Sequence, residues 1–433
     1  MIKTLHITNS YHPSSGGIRT FYLALLKAAN THRRLVRLVV PGPESSVEEI
    51  GDYGRIYTIA APRAPVLDHR YHILTPHDYF WPGETPLRQI LEQERPDLVE
   101  ICDKLLLHYL TGVLRRRWIP GVPVPALIGL TCERLDDMAA FHVSSGSAAR
   151  WLSQSYMRKL YVPRFDFHIA VSDYTAAEVR RALPPGKQDR LYVEPMGVDC
   201  ERFCKTQERP VLREELLRCL EANGRTAVLL YAGRLGHEKN LLLLPQTLKK
   251  LRATGNFDFR FVVAGSGPLK AQLRAAFEDQ TPGAVLFLGQ CGADRLAELY
   301  AAADAFVHPN AHEPFGIAPL EAMAAGLPLV APASGGLLTY ANRRNAWLTE
   351  ATPGDFAAAI ESALSDGPAR REKLEKARKT TQEFSWSRVT ARYFLLYDRL
   401  HARFQDEGMS KRHAKWNKPA NELKEDSHEF VPA

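Results

Sequence analysis

Short apolar runs alternate along the chain with longer segments in which apolar residues recur at helical spacing. In the first half this pattern predicts strands at 5–8, 35–40, 98–101, 127–130 and 168–171, and helices near 18–29 and 87–94. The pattern starts again with strands at 227–231, 259–264, 285–288, 305–308 and 329–331, and a leucine-rich helix near 241–253. Strands separated by helices in this way are typical of parallel sheets.

The repeated pattern predicts an α/β chain with two doubly wound, Rossmann-like domains that face each other across a cleft. We expect a first domain at 1–200, a second at 201–385, an amphipathic helix at 386–404 and a loose tail at 405–433. The tail mixes charges of both signs and has few apolar residues to bury. Ligands of such sheets bind beyond the carboxyl ends of the strands, so the cleft is the expected site.

Composition narrows the class of protein only a little. A chain of 433 residues with 45% apolar and 24% charged residues is ordinary for a globular protein. The formal net charge of +7 favours an anionic ligand or a membrane surface and identifies neither. Six scattered cysteines form no Cys-x-x-Cys pair, which argues against zinc and redox motifs and fits a reducing cytoplasm.

Nothing in the chain reads as a signal peptide or as an apolar run long enough to cross a bilayer, so any membrane contact is expected to be peripheral. The segment 105–118 is first apolar, then basic, then aromatic, and such a segment suits an anionic lipid surface. A core helix with a charged end is the alternative. We expect no nucleic-acid partner.

The most informative stretch is 312–326, in which Glu313 and Glu321 bracket a turn that leads into a helix of small residues. The backbone of Phe315, Gly316 and Ile317 leaves N–H groups unpaired at the helix start, where an anion binds well. A carboxylate beside an anion site is better suited to hydroxyl groups than to phosphate. An anion site with two carboxylates for hydroxyls describes a nucleotide sugar.

Two further loops carry groups that suit a diphosphate. Arg234 and Lys239 follow the strand at 227–231 and can converge on one anion, which needs that charge most when it leaves a transferred group. The segment 13–19 follows the first strand, and its Gly16–Gly17 pair permits close approach of the backbone. The glycine turn at 265–268 is by itself weak evidence of a ligand site.

Together these motifs resemble the retaining glycosyltransferases of the GT-B fold, in the family 4-like group known as glycosyl transferases group 1. The resemblance covers about 1–400 and implies that the final helix crosses back onto the first domain. It implies that Glu321 holds the donor ribose and that Glu313 contacts the transferred sugar. It also implies that the donor diphosphate region is bound by residues of several loops: Gly17, Arg234, Lys239, Gly267, Phe315, Gly316 and Ile317.

The chain departs from the family after the strand at 127–130. A histidine near the transferred sugar is common there, but this chain reads Thr131-Cys132-Glu133-Arg134. Glu133 is therefore a second catalytic candidate beside Glu313, while Cys132 is the alternative occupant of the position. Asp103, at another strand end, is a further cleft candidate. No Asp-x-Asp motif is present, so we expect no metal and no cofactor in the transfer.

The predicted function is the retaining transfer of a hexose, of mannose or glucose type, from a UDP-, GDP- or ADP-sugar. The acceptor is expected to be a glycan, a lipid or a small molecule. A sugar phosphorylase or epimerase on the same scaffold is one alternative, and a nucleotide-sugar sensor without catalysis is another. The sequence does not identify the base, the sugar or the acceptor.

Overall fold

Two largely parallel sheets form the frame of the molecule. The computed structural model describes residues 1–12, 16–64, 71–81, 83–142, 147–204 and 209–416. The strands of the first sheet are β1 (Lys3–Thr8), β2 (Leu35–Gly42), β3 (Ser46–Ile50), β4 (Gly54–Ala60), β5 (Leu98–Cys102), β6 (Ala126–Thr131), β7 (Phe167–Ala170) and β8 (Leu191–Val193). Their order is β3-β4-β2-β1-β5-β6-β7-β8, and only the β3–β4 pair is antiparallel.

The second sheet is parallel throughout. Its strands are β9 (Ala227–Ala232), β10 (Phe259–Ala264), β11 (Val285–Gly289), β12 (Ala305–Val307), β13 (Leu329–Pro332) and β14 (Trp347–Thr349). Their order is β11-β10-β9-β12-β13-β14, with the first strand of this half, β9, inside the sheet. Both sheets are doubly wound, as the pattern predicts.

Helices pack on the sheets and connect their strands. Those of the first half are α1 (Gly17–His32), α2 (His77–Phe80), α3 (Pro86–Glu94), α4 (Leu110–Arg115), α5 (Leu135–His142), α6 (Ser147–Tyr156) and α7 (Asp173–Ala182). Those that follow are α8 (Cys200–Phe203), α9 (Arg209–Cys219), α10 (Leu243–Thr254), α11 (Lys270–Gln280), α12 (Ala293–Ala302), α13 (Ile317–Ala324), α14 (Pro353–Leu364), α15 (Pro368–Glu383) and α16 (Trp386–Trp416).

The last helix crosses back onto the first half of the chain. The Tyr397 hydroxyl donates to Glu100 Oε2 over 2.7 Å, and the Tyr393 hydroxyl donates to the Glu194 carbonyl over 2.7 Å. Glu100 lies on β5 and is fully buried, and it also contacts His6 Nδ1 at 2.9 Å. Because an unpaired carboxylate would be costly at this depth, the tyrosine hydrogen bonds tie α16 firmly to the first sheet.

The structure differs from the predicted elements at the end of α16 and in the strands β3, β4, β8 and β14, which were not predicted. The predicted helix 386–404 is too short, since α16 continues to Trp416, inside the predicted loose tail. The rest of the tail, 417–433, lies outside the described residues. Ser46–Ile50 is mostly exposed and carries no apolar run, and β8 and β14 have only three residues each, whereas β4 is largely buried and was overlooked. The domain limits stay a prediction, although the first sheet ends at Val193 and the second begins at Ala227.

The two halves meet beside the loop that precedes α13. The Ser172 hydroxyl, at the N-cap of α7, donates to the Pro314 carbonyl over 2.6 Å. Gly17, in the first half, also approaches Ile317, in the second half. A Cβ atom added to Gly17 would lie 3.3 Å from Ile317 Cδ1. The carboxyl ends of both sheets therefore face one narrow cleft.

Candidate active site

The turn before α13 is shaped so that its amides stay available. Gly316 adopts a left-handed conformation with φ 89°, and a Cβ atom there would lie 2.8 Å from the Tyr340 hydroxyl oxygen. Only glycine fits this position. The Tyr340 hydroxyl donates to the Gly316 carbonyl over 2.5 Å and so fixes the turn. No side chain caps the start of α13, which leaves the first amides, including that of Ile317, for an anion.

Glu313 lies at the centre of a buried group of donors. Its Oε2 atom accepts hydrogen bonds from Lys239 Nζ and Asn310 Nδ2, each over 2.8 Å, and His308 Nε2 lies 3.1 Å from the same oxygen. Desolvation alone would raise the pKa of Glu313, but the Lys239 charge and the His308 contact hold it far below its usual range. Glu313 is therefore a permanent anion with one heavily bonded oxygen.

Lys239 reaches Glu313 because of the turn that carries it. A short 3-10 segment, His237–Lys239, ends at Asn240, whose backbone is left-handed and whose side-chain amide donates to the Pro309 carbonyl over 3.2 Å. Desolvation would lower the pKa of Lys239, but the Glu313 carboxylate raises it above its ordinary value. The two predicted site residues, which are far apart in the sequence, thus form one ion pair.

Arg234 lies on the same loop in a more open position. Its side chain is 41% exposed, and its Nη1 atom lies 3.7 Å from Glu238 Oε1. The Arg234 carbonyl accepts a hydrogen bond of 3.0 Å from the Tyr231 hydroxyl, at the end of β9. The loop is therefore fixed while the guanidinium stays accessible from the cleft.

The glycine turn after β10 packs directly against the Arg234 loop. A Cβ atom on Gly267 would lie 2.4 Å from the Leu235 carbonyl oxygen. The close approach of the two backbones requires glycine there, whether or not a ligand is bound. Sequence reasoning assigned Gly267 to the donor only by resemblance, and that role stays a prediction.

Glu321 lies on the second turn of α13, away from the Glu313 cluster. Its Oε2 atom accepts a hydrogen bond of 3.0 Å from the Tyr300 hydroxyl, on α12. Desolvation raises the pKa of Glu321 to about 7, while the Tyr300 hydrogen bond and the Arg202 charge act in the opposite direction. The pKa of Glu321 is thus raised and that of Glu313 is lowered, although the two residues are only eight positions apart.

Glu133 faces the second-half cations from the first half of the chain. Its backbone is held because Lys104 Nζ donates to the Glu133 carbonyl, while the Glu178 carboxylate accepts the Leu135 and Asp136 amides. Desolvation by the surrounding walls raises the pKa of the Glu133 side chain. The positive charges of Lys104 and Lys239 act in the opposite direction and favour the ionised form of Glu133.

The two residues that could replace the missing histidine lie in different surroundings, and the assignment of that role stays a prediction. Cys132 is buried, with its sulfur 3.6 Å from that of Cys102, so it packs between strand ends. Glu133 has more surface area open to solvent than Cys132, although neighbouring groups still desolvate its carboxyl. Asp103, the other candidate, accepts hydrogen bonds from the amides of 105–107 over 2.6–2.9 Å. These bonds hold the turn after β5, and a role of Asp103 in the cleft stays a prediction.

Sequence reasoning missed several residues that build the site. His308 and Asn310 hold Glu313, Tyr300 contacts Glu321, and Tyr340 fixes the Gly316 turn. Of these residues, only His308 and Asn310 could have been suspected from the sequence. The polar run His308-Pro309-Asn310 directly follows a buried strand, which is unusual for a plain loop. The 13–15 part of the predicted glycine loop lies outside the described residues.

The fold and the site define a GT-B protein whose cleft presents anion-binding amides, two cations and two unlike carboxylates. A family model described as glycosyl transferases group 1 matches residues 213–381. The chain is 27% identical over 394 residues to a GDP-mannose-dependent alpha-(1-6)-phosphatidylinositol dimannoside mannosyltransferase of Mycobacterium tuberculosis, covering 90% of this chain and 94% of that protein.

A second relative is a glycogen synthase of Mycobacterium tuberculosis, 29% identical over 317 residues, which covers 70% of this chain and 69% of that protein. The structure of a sucrose-phosphate synthase from Thermosynechococcus elongatus superposes with a TM-score of 0.72 at 19% identity, covering 93% of this chain and 100% of that one. Residues 213–381 therefore match the group 1 glycosyltransferases, the chain has the GT-B fold, and the protein is a nucleotide-sugar-dependent hexosyltransferase.

Across the described ranges, no helix is long and apolar enough to cross a membrane. Over the same ranges, no three histidine, cysteine, aspartate or glutamate side chains are grouped so as to hold a metal ion. Transfer without a metal stays a prediction.

Proposed function

We propose that the protein transfers a mannosyl group from GDP-mannose to a lipid or glycan acceptor, with retention of the anomeric configuration. The observation that carries the proposal is the Glu313–Lys239 ion pair beside the uncapped amides of α13. The choice of donor is supported by the full-length mannosyltransferase relative and by a second GDP-mannose-dependent relative from Corynebacterium glutamicum, which is 25% identical over 340 residues.

The nucleotide and the diphosphate are assigned to separate parts of α13 and its neighbours. Glu321 accepts the ribose hydroxyls, since one carboxylate can bond both from a single position. The amides of Phe315, Gly316 and Ile317 bind the diphosphate with Arg234. Lys239 uses one of its three N–H donors on Glu313 and keeps others for a phosphate oxygen. The lysine therefore links the sugar side of the site to the diphosphate side.

The environment of Glu313 suits hydroxyl recognition better than nucleophilic attack. Three donors surround Oε2, and its pKa lies far below the usual range, so the carboxylate is a poor nucleophile and a good hydrogen-bond acceptor. In a front-face transfer, the bond from the sugar carbon to the phosphate oxygen breaks while the bond to the acceptor oxygen forms on the same face. The acceptor proton passes to the leaving phosphate.

Cations near the leaving group lower the cost of that step. Lys239 and Arg234 stabilise the negative charge that develops on the diphosphate as the sugar leaves. Glu133, on the opposite wall, has a raised pKa and orients the acceptor or a sugar hydroxyl by hydrogen bonding. Its position replaces the histidine that is common in the family.

A lipid acceptor is supported by an exposed aromatic surface on the first half of the chain. Phe80, Trp81 and Trp118 are 42%, 58% and 51% exposed, and the Phe80 and Trp118 rings lie 6.5 Å apart. The Arg116 guanidinium lies 5.4 Å from the Trp118 ring, and Arg115 and Arg117 are also exposed. Tryptophan beside arginine suits the headgroup region of an anionic membrane at the inner membrane face.

The apolar part of the predicted lipid-facing segment 105–118 is mostly core. Leu107, Leu110, Val113 and Leu114 are buried, and Leu105 and the basic end of the segment remain exposed. The membrane proposal therefore rests on the aromatic surface. Flotation with phosphatidylglycerol vesicles should weaken in a Trp81→Ala/Trp118→Ala variant and persist in Trp151→Ala, a control at another exposed tryptophan. Equal flotation of both variants would remove this support.

The test of the main proposal is a donor screen followed by product analysis. Calorimetry should show tighter binding of GDP-mannose than of UDP-glucose or ADP-glucose, and slow release of GDP from GDP-mannose should be measurable without an acceptor. The Glu313→Gln variant should bind GDP like the parent but release it from GDP-mannose more slowly. Binding without any release would favour a sensor, and preference for a glucose donor would favour the glycogen-synthase-like assignment.

A further inference from the structure

An arginine-lined cavity that is wide open to solvent lies between the segment before α5 and the last turns of α7. Its volume is about 400 Å³, within the range of small-molecule sites, and its walls are Arg134, Ala177, Arg180 and Arg181. Nothing in the donor assignment uses these residues. They belong to the first half of the chain, which faces the acceptor side of the cleft.

One buried carboxylate holds two of the three arginines in place. Asp136 accepts Arg134 Nε and Nη2 over 2.8 and 2.5 Å, and it accepts Arg181 Nη2 over 3.0 Å. Desolvation would raise the pKa of Asp136, but the Arg134 hydrogen bonds and charge lower it, so the aspartate stays ionised. Two guanidinium groups therefore share a single carboxylate and are preorganised by it.

Arg134 Nε also lies 3.6 Å from Asp137 Oδ2, so three aspartates offset the three arginines, and the capacity to bind an anion comes from unused donors and not from excess charge. Arg180 lies 3.5 Å from Asp173, whose side chain is 86% exposed, and such a pair contributes little. Among the residues with described placement, the Nη1 atoms of Arg134 and Arg181 make no hydrogen bond. Guanidinium donors held in a fixed orientation match the oxygens of a phosphate group.

A short chain of contacts links the cavity to the transfer site. The Arg134 guanidinium lies 4.4 Å from the centre of the Tyr174 ring, and the Tyr174 hydroxyl lies 2.9 Å from His312 Nδ1. His312 immediately precedes Glu313, and Arg134 immediately follows Glu133. An acceptor that reaches the sugar between these two glutamates therefore passes close to the arginines.

We propose that this cavity binds a phosphate group carried by the acceptor. The inference rests on the proposed glycosyl transfer and adds to it the chemical class of the acceptor, a phosphate ester. The source of the phosphate is either a soluble ester or a lipid headgroup, and the two share the same recognition chemistry. The phosphate fixes the acceptor at a distance from the reacting hydroxyl, which stays free for transfer.

The test measures phosphate-ester binding with the donor site already filled. The full chain is saturated with GDP, and glycerol 3-phosphate is then titrated by calorimetry, with glycerol as the neutral match. The Arg180→Gln/Arg181→Gln variant should bind glycerol 3-phosphate about tenfold or more weakly than the parent, the scale of one lost charge-assisted contact. Arg218→Gln, at an arginine that is 76% exposed on α9, is the matched control and should bind like the parent.

The arms of the experiment separate the proposals from each other. If GDP fails to bind, the proposed function fails; if GDP binds but glycerol 3-phosphate binds no better than glycerol, only the phosphate site fails. Equal binding by the double variant and the parent also overturns the site.

Phosphatidylcholine vesicles with and without phosphatidylglycerol form the lipid arm. Arginine-dependent binding to the anionic vesicles together with the soluble ester supports a headgroup source. Binding to the vesicles alone assigns the arginines to a membrane surface and overturns the cavity site.

Discussion

Glu321 is expected to make nucleotide binding depend on pH in the neutral range. Desolvation raises its pKa to about 7, against the Tyr300 hydrogen bond and the Arg202 charge. The ionised carboxylate accepts stronger hydrogen bonds from the two ribose hydroxyls than the protonated group does, because the protonated group is neutral and uses one oxygen as a donor. The ionised fraction therefore sets the affinity for the nucleotide.

The size of the effect follows from the titration. For a pKa of about 7, the ionised fraction falls from about nine-tenths at pH 8 to about one-tenth at pH 6, which corresponds to about tenfold in affinity or about 1.4 kcal/mol. The nucleotide phosphate also titrates near pH 6, so its contribution has to be subtracted. The Glu321→Gln variant provides that baseline, because glutamine does not ionise.

The assay is calorimetry of GDP binding at several pH values for the parent and Glu321→Gln. The parent should lose affinity as the pH falls through 7, whereas the variant should bind weakly and show only the slope of the ligand. If the variant keeps both the affinity and the pH slope of the parent, Glu321 does not hold the ribose.

The same titration predicts that the unliganded protein is more stable at low pH, whereas nucleotide binding is stronger at high pH. A folded-state pKa raised from 4.5 to about 7 means that the folded protein binds the proton more tightly than the unfolded chain. The unliganded protein therefore loses stability as the pH rises from about 4.5 through 7, by about 3 kcal/mol in total. Thermal unfolding should show Glu321→Gln more stable than the parent at pH 8, with the advantage gone near pH 4.5. An advantage that is independent of pH would contradict the assigned pKa.

Three further predictions test the rest of the site. Lys239→Ala and Arg234→Ala should each weaken GDP binding, measured by calorimetry, about ten- to a hundredfold, which is the scale of a charge-assisted contact. Lys239→Ala, but not Arg234→Ala, should also lower the melting temperature, because it leaves Glu313 buried without its cation. Asn310→Ala should lower kcat more than it changes the donor KM in initial-rate assays, because Asn310 orients the carboxylate that contacts the sugar. Turnover should be complete in excess EDTA, and activity restored only by added magnesium or manganese would contradict the metal-independent route.

The fold could be predicted from the sequence because the information is local. A buried strand of a doubly wound sheet is a short apolar run, so the apolar runs at 98–101 and 227–231 predict the strands β5 and β9. The β3 strand lacks that signal because its residues are largely exposed. The end of α16 was placed too early, since the helix continues where its apolar positions become sparse.

The site could be predicted only as a set of candidate residues. Spacing identifies Glu313 and Lys239 as candidates but does not show that they pair, because 74 residues and several strands and helices separate them. The contrast between the two glutamates is also not local. It depends on the lysine that reaches Glu313 and on the absence of a comparable cation at hydrogen-bond distance from Glu321 among the described residues.

One short loop joins donor chemistry to the contact between the two halves of the chain. His312 contacts Tyr174, the Pro314 carbonyl accepts the Ser172 hydroxyl, and Glu313 lies between them in the sequence. A displacement of α7 therefore pulls on both sides of the residue that contacts the sugar, while Glu321, one turn into α13, is attached to α12 instead. On the proposed roles, the sugar contact of Glu313 therefore depends on the position of α7, whereas the ribose contact of Glu321 depends on α12. A perturbation confined to the α7 contacts, such as Ser172→Ala, should then lower kcat more than it weakens GDP binding.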